Sequence, residues 1–282
     1  MYIREAFPED SIALQQLQAM CPQGTSLIVT SVNTPDFFAR VKAYEKFKVF
    51  VACEGSNIIG SAACAIRNAA FQESTKRIGY EFQYFTSPQY RRKGISSKLR
   101  QRIEEYLSQE NAVISYALIM EGNSPSTRLF ELQGFRKNRD LIMPGIALLK
   151  QLDFDHIGLV RPARIEDFSQ ITDLINHTWR NHVLFEPISI EALHHFIHNT
   201  PLFDLSSMFV LESRNEILAC VGCWDWSHIM RVTVKTLSIK MQILRWLMVP
   251  TGIFPNFPKP GDTLKQMLLT HIGFNTPQGV IT

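Results

Sequence analysis

Tyr80-Glu81-Phe82-Gln83-Tyr84-Phe85-Thr86-Ser87-Pro88-Gln89-Tyr90-Arg91-Arg92-Lys93-Gly94-Ile95-Ser96 is the stretch on which the fold turns. Its first seven residues are rich in aromatics and suit a strand. Ser87-Pro88 ends that strand. From Ile95 onward, Ile95, Leu99, Ile103, Tyr106 and Leu107 recur on one helical face. Gly94 sits at the junction, where the missing Cβ lets backbone approach a ligand closely. The first N–H groups of the new helix, those of Ile95, Ser96 and Ser97, have no intrahelical acceptor, and the helix dipole adds partial positive charge there. Arg91, Arg92 and Lys93 add full charges. A strand, a basic glycine turn and a helix N-terminus together make a cradle for an anion such as a pyrophosphate. Taken alone, such a loop is more often a plain solvated turn, so its meaning depends on the rest of the chain.

About thirty residues on, Asn123-Ser124-Pro125-Ser126-Thr127-Arg128-Leu129-Phe130-Glu131-Leu132-Gln133-Gly134-Phe135 reads as a capped helix with Pro125 in its first turn and Gly134 as its stop. Between the two segments, residues 112–120 (AVISYALIM) read as a buried strand. The order is strand, anion loop, helix, strand, helix, Gly-Phe, strand. This order resembles the GNAT superfamily of N-acetyltransferases. Arg91, Gly94 and Ser96 fall on the marked places of the family's Gln/Arg-x-x-Gly-x-Gly/Ala loop, with Ser96 where Gly or Ala is usual. Asn123 through Phe135 is similar to the family's second cofactor segment. Phe130 stands where many relatives carry a tyrosine that protonates the departing thiolate, and phenylalanine has no such proton.

The resemblance implies an α/β (α+β) fold with a mixed central sheet flanked by helices, and direct transfer of an acetyl group from acetyl-CoA, as co-substrate, to a primary amine. It implies that Arg91, Arg92, Lys93, Gly94, Ile95, Ser96 and Ser97 hold the pyrophosphate. It further implies that backbone N–H groups near Phe85 and Thr86 polarise the thioester carbonyl, and that Asn123 and Phe130 contact the cofactor. Relatives often carry a carboxylate on the strand before the loop, and Glu81 is the first choice for a general base. Shielding by aromatics would raise its pKa toward neutrality. An ordinary solvated or salt-bridged glutamate is an equally open reading. Strict alternation would place Glu81, Gln83 and Phe85 on one face and Phe82 and Tyr84 on the other. Tyr84 and Tyr80 are substitute acids for the missing tyrosine, although packing explains either one.

The chain has 282 residues, 45% of them hydrophobic and 20% charged, with a formal net charge of +3. That charge is too small to argue for nucleic acid, and no basic tract with interleaved aromatics occurs. The N-terminus lacks a signal-peptide core. Residues 237–254 are apolar but broken by Lys240, Arg245, Pro250 and Gly252. They read as a core or interface helix rather than a membrane span, with a membrane-surface helix as the sharper alternative. Five cysteines at irregular spacing suit a reducing cytoplasm, and Cys220-x-x-Cys223 lies on a strand, where residues three apart face opposite ways. His194, His195 and His198 share a helical stretch without a third ligand, so no metal is expected.

The chain then begins again. Residues 3–10 (IREAFPED) parallel residues 160–167 (VRPARIED), and the hairpin around Glu54-Gly55-Ser56-Asn57 parallels that around Ser213-Arg214-Asn215. Such matched openings suggest duplication: an acetyltransferase domain over 1–150 and a partial GNAT-like domain over 156–282 without an anion loop. Residues 264–273 would be the fourth strand of this copy, which is either a degenerate half-fold or cut short. The link at 149–158 has few turn residues, and the long segment 227–261 could cover the substrate end of the first domain. The acceptor is a small-molecule or peptide amine, and an edge strand or the 237–254 helix could make a homodimer. The other reading is an acyl-CoA-binding pseudoenzyme serving sensing or assembly, which Phe130 and the incomplete second copy favour.

Overall fold

The structure, a computed structural model, describes residues 1–71, 74–141, 158–252 and 256–275. The first half is built on a five-stranded mixed sheet of β1 (Tyr2–Glu5), β3 (Lys46–Glu54), β4 (Asn57–Phe71), β5 (Ser74–Thr86) and β6 (Ile114–Ala117), in that spatial order. All neighbours are antiparallel except β5 and β6. Helix α1 (Ser11–Ala19) covers one face, and α2 (Ile95–Gln109) covers the other. The expected apolar stripe of α2 is the one that packs. Ile95, Leu99, Ile103 and Leu107 are buried against Phe50, Ala52, Ile59, Ala62 and Cys64. Gly60 sets how near the helix comes, because a Cβ there would lie 2.7 Å from Ile95 Cγ2 and 3.3 Å from the Phe85 carbonyl oxygen.

One irregularity controls the geometry of β5. Phe82 pairs with Ala63 and Phe85 with Ser61, so Gln83 and Tyr84 together face the single residue Ala62. Gln83 takes the left-handed conformation (φ 55°) that such a bulge requires. The extra residue overturns strict alternation. Phe82 and Phe85 both pack on the α1 side, while Tyr84 joins Glu81 on the α2 side.

β6 departs from its expected form. It spans four half-buried residues rather than a buried run, and Leu118 and Met120 are exposed, because no described strand lies beyond this edge. Helix α3 (Ser124–Glu131) follows, with Asn123 as its cap and Gly134 (φ 86°) after it. Residues 135–141 form no strand; the final strand of the expected order, the 149–158 link and the boundaries at 150 and 156 otherwise lie outside the described residues.

The second half parallels the first at several points. β7 (Leu159–Pro162), β8 (Met208–Ser213), β9 (Glu216–Asp225) and β12 (Met267–Phe274) form a four-stranded sheet in that order, with α4 (Phe168–Trp179) packed on it. Arg4 bonds Asp10 at 2.6 Å, and Arg161 bonds Asp167 at 2.7 Å. In each copy the same aspartate also accepts a 2.7 Å hydrogen bond from a backbone N–H, that of Phe7 or Arg164. β12 is the expected fourth strand, and it carries the same two-against-one bulge, with His271 at φ 48°.

The long segment 227–261 carries β10 (Met230–Leu237) and α6 (Ile239–Met248). β10 pairs with β2 (Leu27–Asn33) of the first half and with β11 (Thr263–Leu264), so the two halves share a three-stranded sheet. α6 is not a core helix. None of its residues is buried, and Ile239 and Trp246 are each 75% exposed, because the helix meets the body chiefly at β10.

Two outcomes follow from the packing. Gly60→Ala drives a methyl into Ile95 and lowers stability by about 1–3 kcal/mol in denaturant titration, where a glycine in an ordinary strand would tolerate alanine. Asp10 and Asp167 are held below the usual carboxylate pKa, first by their arginine hydrogen bonds. Folded values below unfolded ones give stability that is present above the ordinary carboxylate range and is lost as pH falls through the lowered values. Asp10→Asn and Asp167→Asn each flatten part of that acid limb in melting curves taken from pH 2 to 7.

Candidate active site

The anion loop is built where β5 ends. Residues Pro88–Tyr90 make one 3-10 turn, and Gly94 (φ 75°, ψ 10°) is the N-cap of α2. This left-handed geometry suits glycine, and a Cβ there would meet no atom within 4 Å, so the space before the helix is open. No side chain caps α2. The N–H groups of Ile95, Ser96 and Ser97 therefore face that space with no side-chain acceptor at the cap. Arg91, Arg92, Lys93, Gly94 and Ser97 are exposed around them. Lys93 Nζ lies 4.7 Å over the Tyr90 ring, and Tyr90 donates to Glu54 at 2.7 Å. Ser96, the departure from the family's small residue, has a structural use. Its hydroxyl lies 3.0 Å from that of Thr86 and ties the helix start to the strand end.

β5 and β6 pair only from Ile78/Ile114 to Glu81/Ala117, yet β5 continues to Thr86. β5 therefore runs on past the end of β6, leaving the β6 side of Tyr84, Phe85 and Thr86 without a partner strand among the described residues. Helix α3 stands beside this opening. Asn123 spends its side-chain oxygen on the cap, accepting from Ser126 N at 3.3 Å. Phe130 is buried, with its ring 5.3 Å from that of Tyr84 and 4.9 Å from that of Phe135. Thr86 is thus tied to the loop and Tyr84 packs on Phe130, while Asn123 acts first on its own helix.

Glu81 is neither solvated nor half-exposed, because its side chain is fully covered. Oε2 accepts from the Tyr84 hydroxyl at 2.6 Å, and Oε1 accepts from the Ser115 hydroxyl at 2.8 Å. Arg100, itself buried, brings Nε to 3.9 Å and is held by Glu104 at 2.6 Å and by the Phe135 ring. Burial raises the Glu81 pKa, and the hydrogen bonds from Tyr84 and Ser115 pull against that rise. Burial and then the Glu81 charge push the Tyr84 phenol well above its ordinary value, so it stays protonated. The bulge creates this pair, because on an unbroken strand Glu81 and Tyr84 would point to opposite faces.

The other face of the sheet holds Tyr80 together with residues the sequence did not single out. Tyr80 stacks on Phe82 (4.7 Å) and on Tyr116 (5.0 Å), and Tyr44 leans over Tyr80 and Phe82. Arg40 lies 5.0 Å over Phe82 and donates to the Tyr80 hydroxyl at 3.3 Å. Arg67 donates to Tyr116 and pairs with Glu186 of the second half at 2.9 Å. These residues come from five separate segments, so no local spacing announces them. His194 packs on Phe168, away from this region, and among the described residues no group of three or more His, Cys, Asp and Glu side chains gathers to hold a metal.

A helix N-terminus without a side-chain cap thus lies beside the end of a short parallel strand pair. Residues 13–135 match the model of the acetyltransferase (GNAT) family. That match lies wholly within the first half of the chain. Among solved structures, it is similar to a putative acetyltransferase from Agrobacterium tumefaciens (19% identity, 52% of this chain and 100% of that one, TM-score 0.43). It is also similar to an acetyltransferase from Trypanosoma brucei (18% identity, 51% and 99%, TM-score 0.41). An aminoglycoside antibiotic 6'-N-acetyltransferase from Acinetobacter haemolyticus shows 16% identity over 54% of this chain and 100% of its own, with a TM-score of 0.41. No curated protein matches the chain.

Gly94→Glu places a carboxylate in the open space before α2. Calorimetric titration is expected to show acetyl-CoA binding at one site in the parent chain and none in this variant. Melting temperatures should fall only by the modest amount a left-handed non-glycine residue costs, about 1–2 kcal/mol.

Proposed function

We propose that the protein transfers an acetyl group directly from acetyl-CoA to the primary amine of a small-molecule or peptide acceptor. In this reading the pyrophosphate lies on Arg91–Ser97, and the thioester enters the opening beside Phe85 and Thr86. The observation that carries the proposed chemistry is the 2.6 Å hydrogen bond from Tyr84 to Glu81. The reaction removes one proton from the amine and returns one to the thiolate. Both atoms are bonded to the same carbon in the tetrahedral intermediate, so one hydroxyl can serve both. Tyr84 takes the amine proton while passing its own to Glu81 Oε2, then reverses the exchange as the thiolate leaves. Glu81 is the general base in this scheme, and because it is enclosed it acts only through Tyr84. Its raised pKa brings it nearer the working pH, which suits that task. Phe130 then packs beside the reacting centre, and Tyr84, on the facing strand, supplies the proton that Phe130 lacks.

Glu81→Gln and Tyr84→Phe should each reduce kcat by about 100-fold or more while acetyl-CoA affinity changes less than about twofold, a factor worth only ~0.4 kcal/mol. A base with a raised pKa is active above that pKa. The parent's kcat/KM therefore falls as pH drops through a value above the ordinary glutamate pKa of 4.5, and Glu81→Gln lacks that limb. Parallel loss of cofactor affinity and turnover in both variants would count against proton transfer as the role of the pair. Acetyl-CoA binding without turnover on any amine would support the binding-module reading.

A further inference from the structure

The face of the sheet opposite α2 has a charge pattern that selects an acceptor. α2 and α3 stand on the cofactor side of that opening, so an amine reaches the thioester from the side of Tyr80, Phe82 and Tyr116. Two guanidinium groups stand there. Arg67 is neutralised by Glu186, which also accepts from the Asn68 backbone N–H at 3.2 Å. Arg40 is half-buried and has no carboxylate within ion-pair distance among the described residues; its only contacts of note are the Tyr80 hydroxyl and the Phe82 ring. The neighbouring acid on its own segment, Asp36, is taken by Lys42 at 2.9 Å. Tyr44 stands within the field of both Arg40 and Arg67, and its hydroxyl makes no hydrogen bond among the described residues. A half-buried guanidinium over the Phe82 ring, with a phenol packed 5.6 Å from the same ring, makes a donor set without an acceptor among the described residues. A planar carboxylate fits a guanidinium fork, and the stacked rings beneath offer an apolar floor.

We propose that Arg40 and Tyr44 form a carboxylate seat, and that the acceptor is a small amine bearing a carboxylate, an amino acid with an apolar or aromatic side chain. This proposal rests on the acetyl-transfer reading above. The uncompensated positive charge works against polyamines and aminoglycosides, whose remaining ammonium groups would be brought beside Arg40. The second half takes part through Glu186, which occupies Arg67 and leaves Arg40, among the described residues, as the guanidinium of this face without a carboxylate partner.

The test compares matched acceptors at saturating acetyl-CoA by following thiol release. The panel is phenylalanine, phenylalaninamide and phenethylamine, with the corresponding leucine series, plus spermidine and kanamycin. The carboxylate-bearing member of each series is expected to show at least about tenfold higher kcat/KM, equivalent to ~1.4 kcal/mol. Arg40→Met should reduce that preference to near unity through KM, Arg40→Lys should retain part of it, and both variants should bind acetyl-CoA as the parent does. Equal or better use of the amides, the decarboxylated amines or the polycations would overturn the seat, as would a preference that survives in Arg40→Met. Acetyl-CoA binding with no acetylation of any carboxylate-bearing amine would also overturn the seat while leaving cofactor binding intact. Failure of the parent to bind acetyl-CoA would remove the underlying reading itself.

Discussion

The extra residue in β5 is the constraint on which the site depends. By placing Gln83 and Tyr84 opposite one residue of β4, it turns Tyr84 onto the face where Glu81 already lies and leaves Phe85 on the other. It also falls where β5 parts from β6, since pairing stops at Glu81. The hydrogen-bonded acid pair, the opened strand edge and the approach to the anion loop are therefore one backbone event seen from three sides. A bulge in this position bends the strand and frees backbone groups that a regular ladder would occupy.

The sheet then separates two chemistries. On the α2 side are fixed positive charge, unclaimed helix N–H groups and a buried glutamate held by Tyr84 and Ser115. On the other side are stacked rings and two arginines, one of them neutralised by the second half. Glu186 reaches this face because residues 184–186 run against the end of β4, with backbone hydrogen bonds between Ala70 and Leu184 (2.8 Å) and between Ala70 and Phe185 (2.6 Å). The second half thus contacts the edge of this face, although no second anion loop is found among its described residues.

Much of this was legible in the chain. The α2 stripe, the capped α3, the loop at 91–96 and the repeated opening all rest on local periodicity or turn chemistry, and each of those elements folds as read. What sequence could not give depends on register or on distant partners. Alternation predicts the wrong face for Tyr84 because a bulge leaves no dependable mark in composition; a glutamine in left-handed geometry looks like any other glutamine in a string. The run 112–120 looks buried because it is apolar, but an edge strand without an outer neighbour cannot bury both faces. α6 misleads in the same way, since apolar content alone does not say whether another element will cover it. The cluster of Arg40, Tyr44, Tyr80, Phe82, Tyr116 and Arg67 is invisible to any spacing rule, being assembled by topology.

The strand shared between the halves also bears on how the protein is made. Leu27 of β2 pairs with Leu237 of β10, about two hundred residues later in the chain. During synthesis the ladder groups of β2 that face β10 stay unmatched until β10, about two hundred residues later, has left the ribosome. Contacts of such long sequence separation form late and slowly, and a waiting strand of this kind can pair with the wrong neighbour. The hydroxyl-bearing residues Thr30 and Ser31 within β2, and the charged Arg231 and Lys235 within its future partner, make both segments poorer templates for indiscriminate association than their β-branched neighbours alone would be. The first half can thus assemble its five-stranded sheet while the joint to the second stays open.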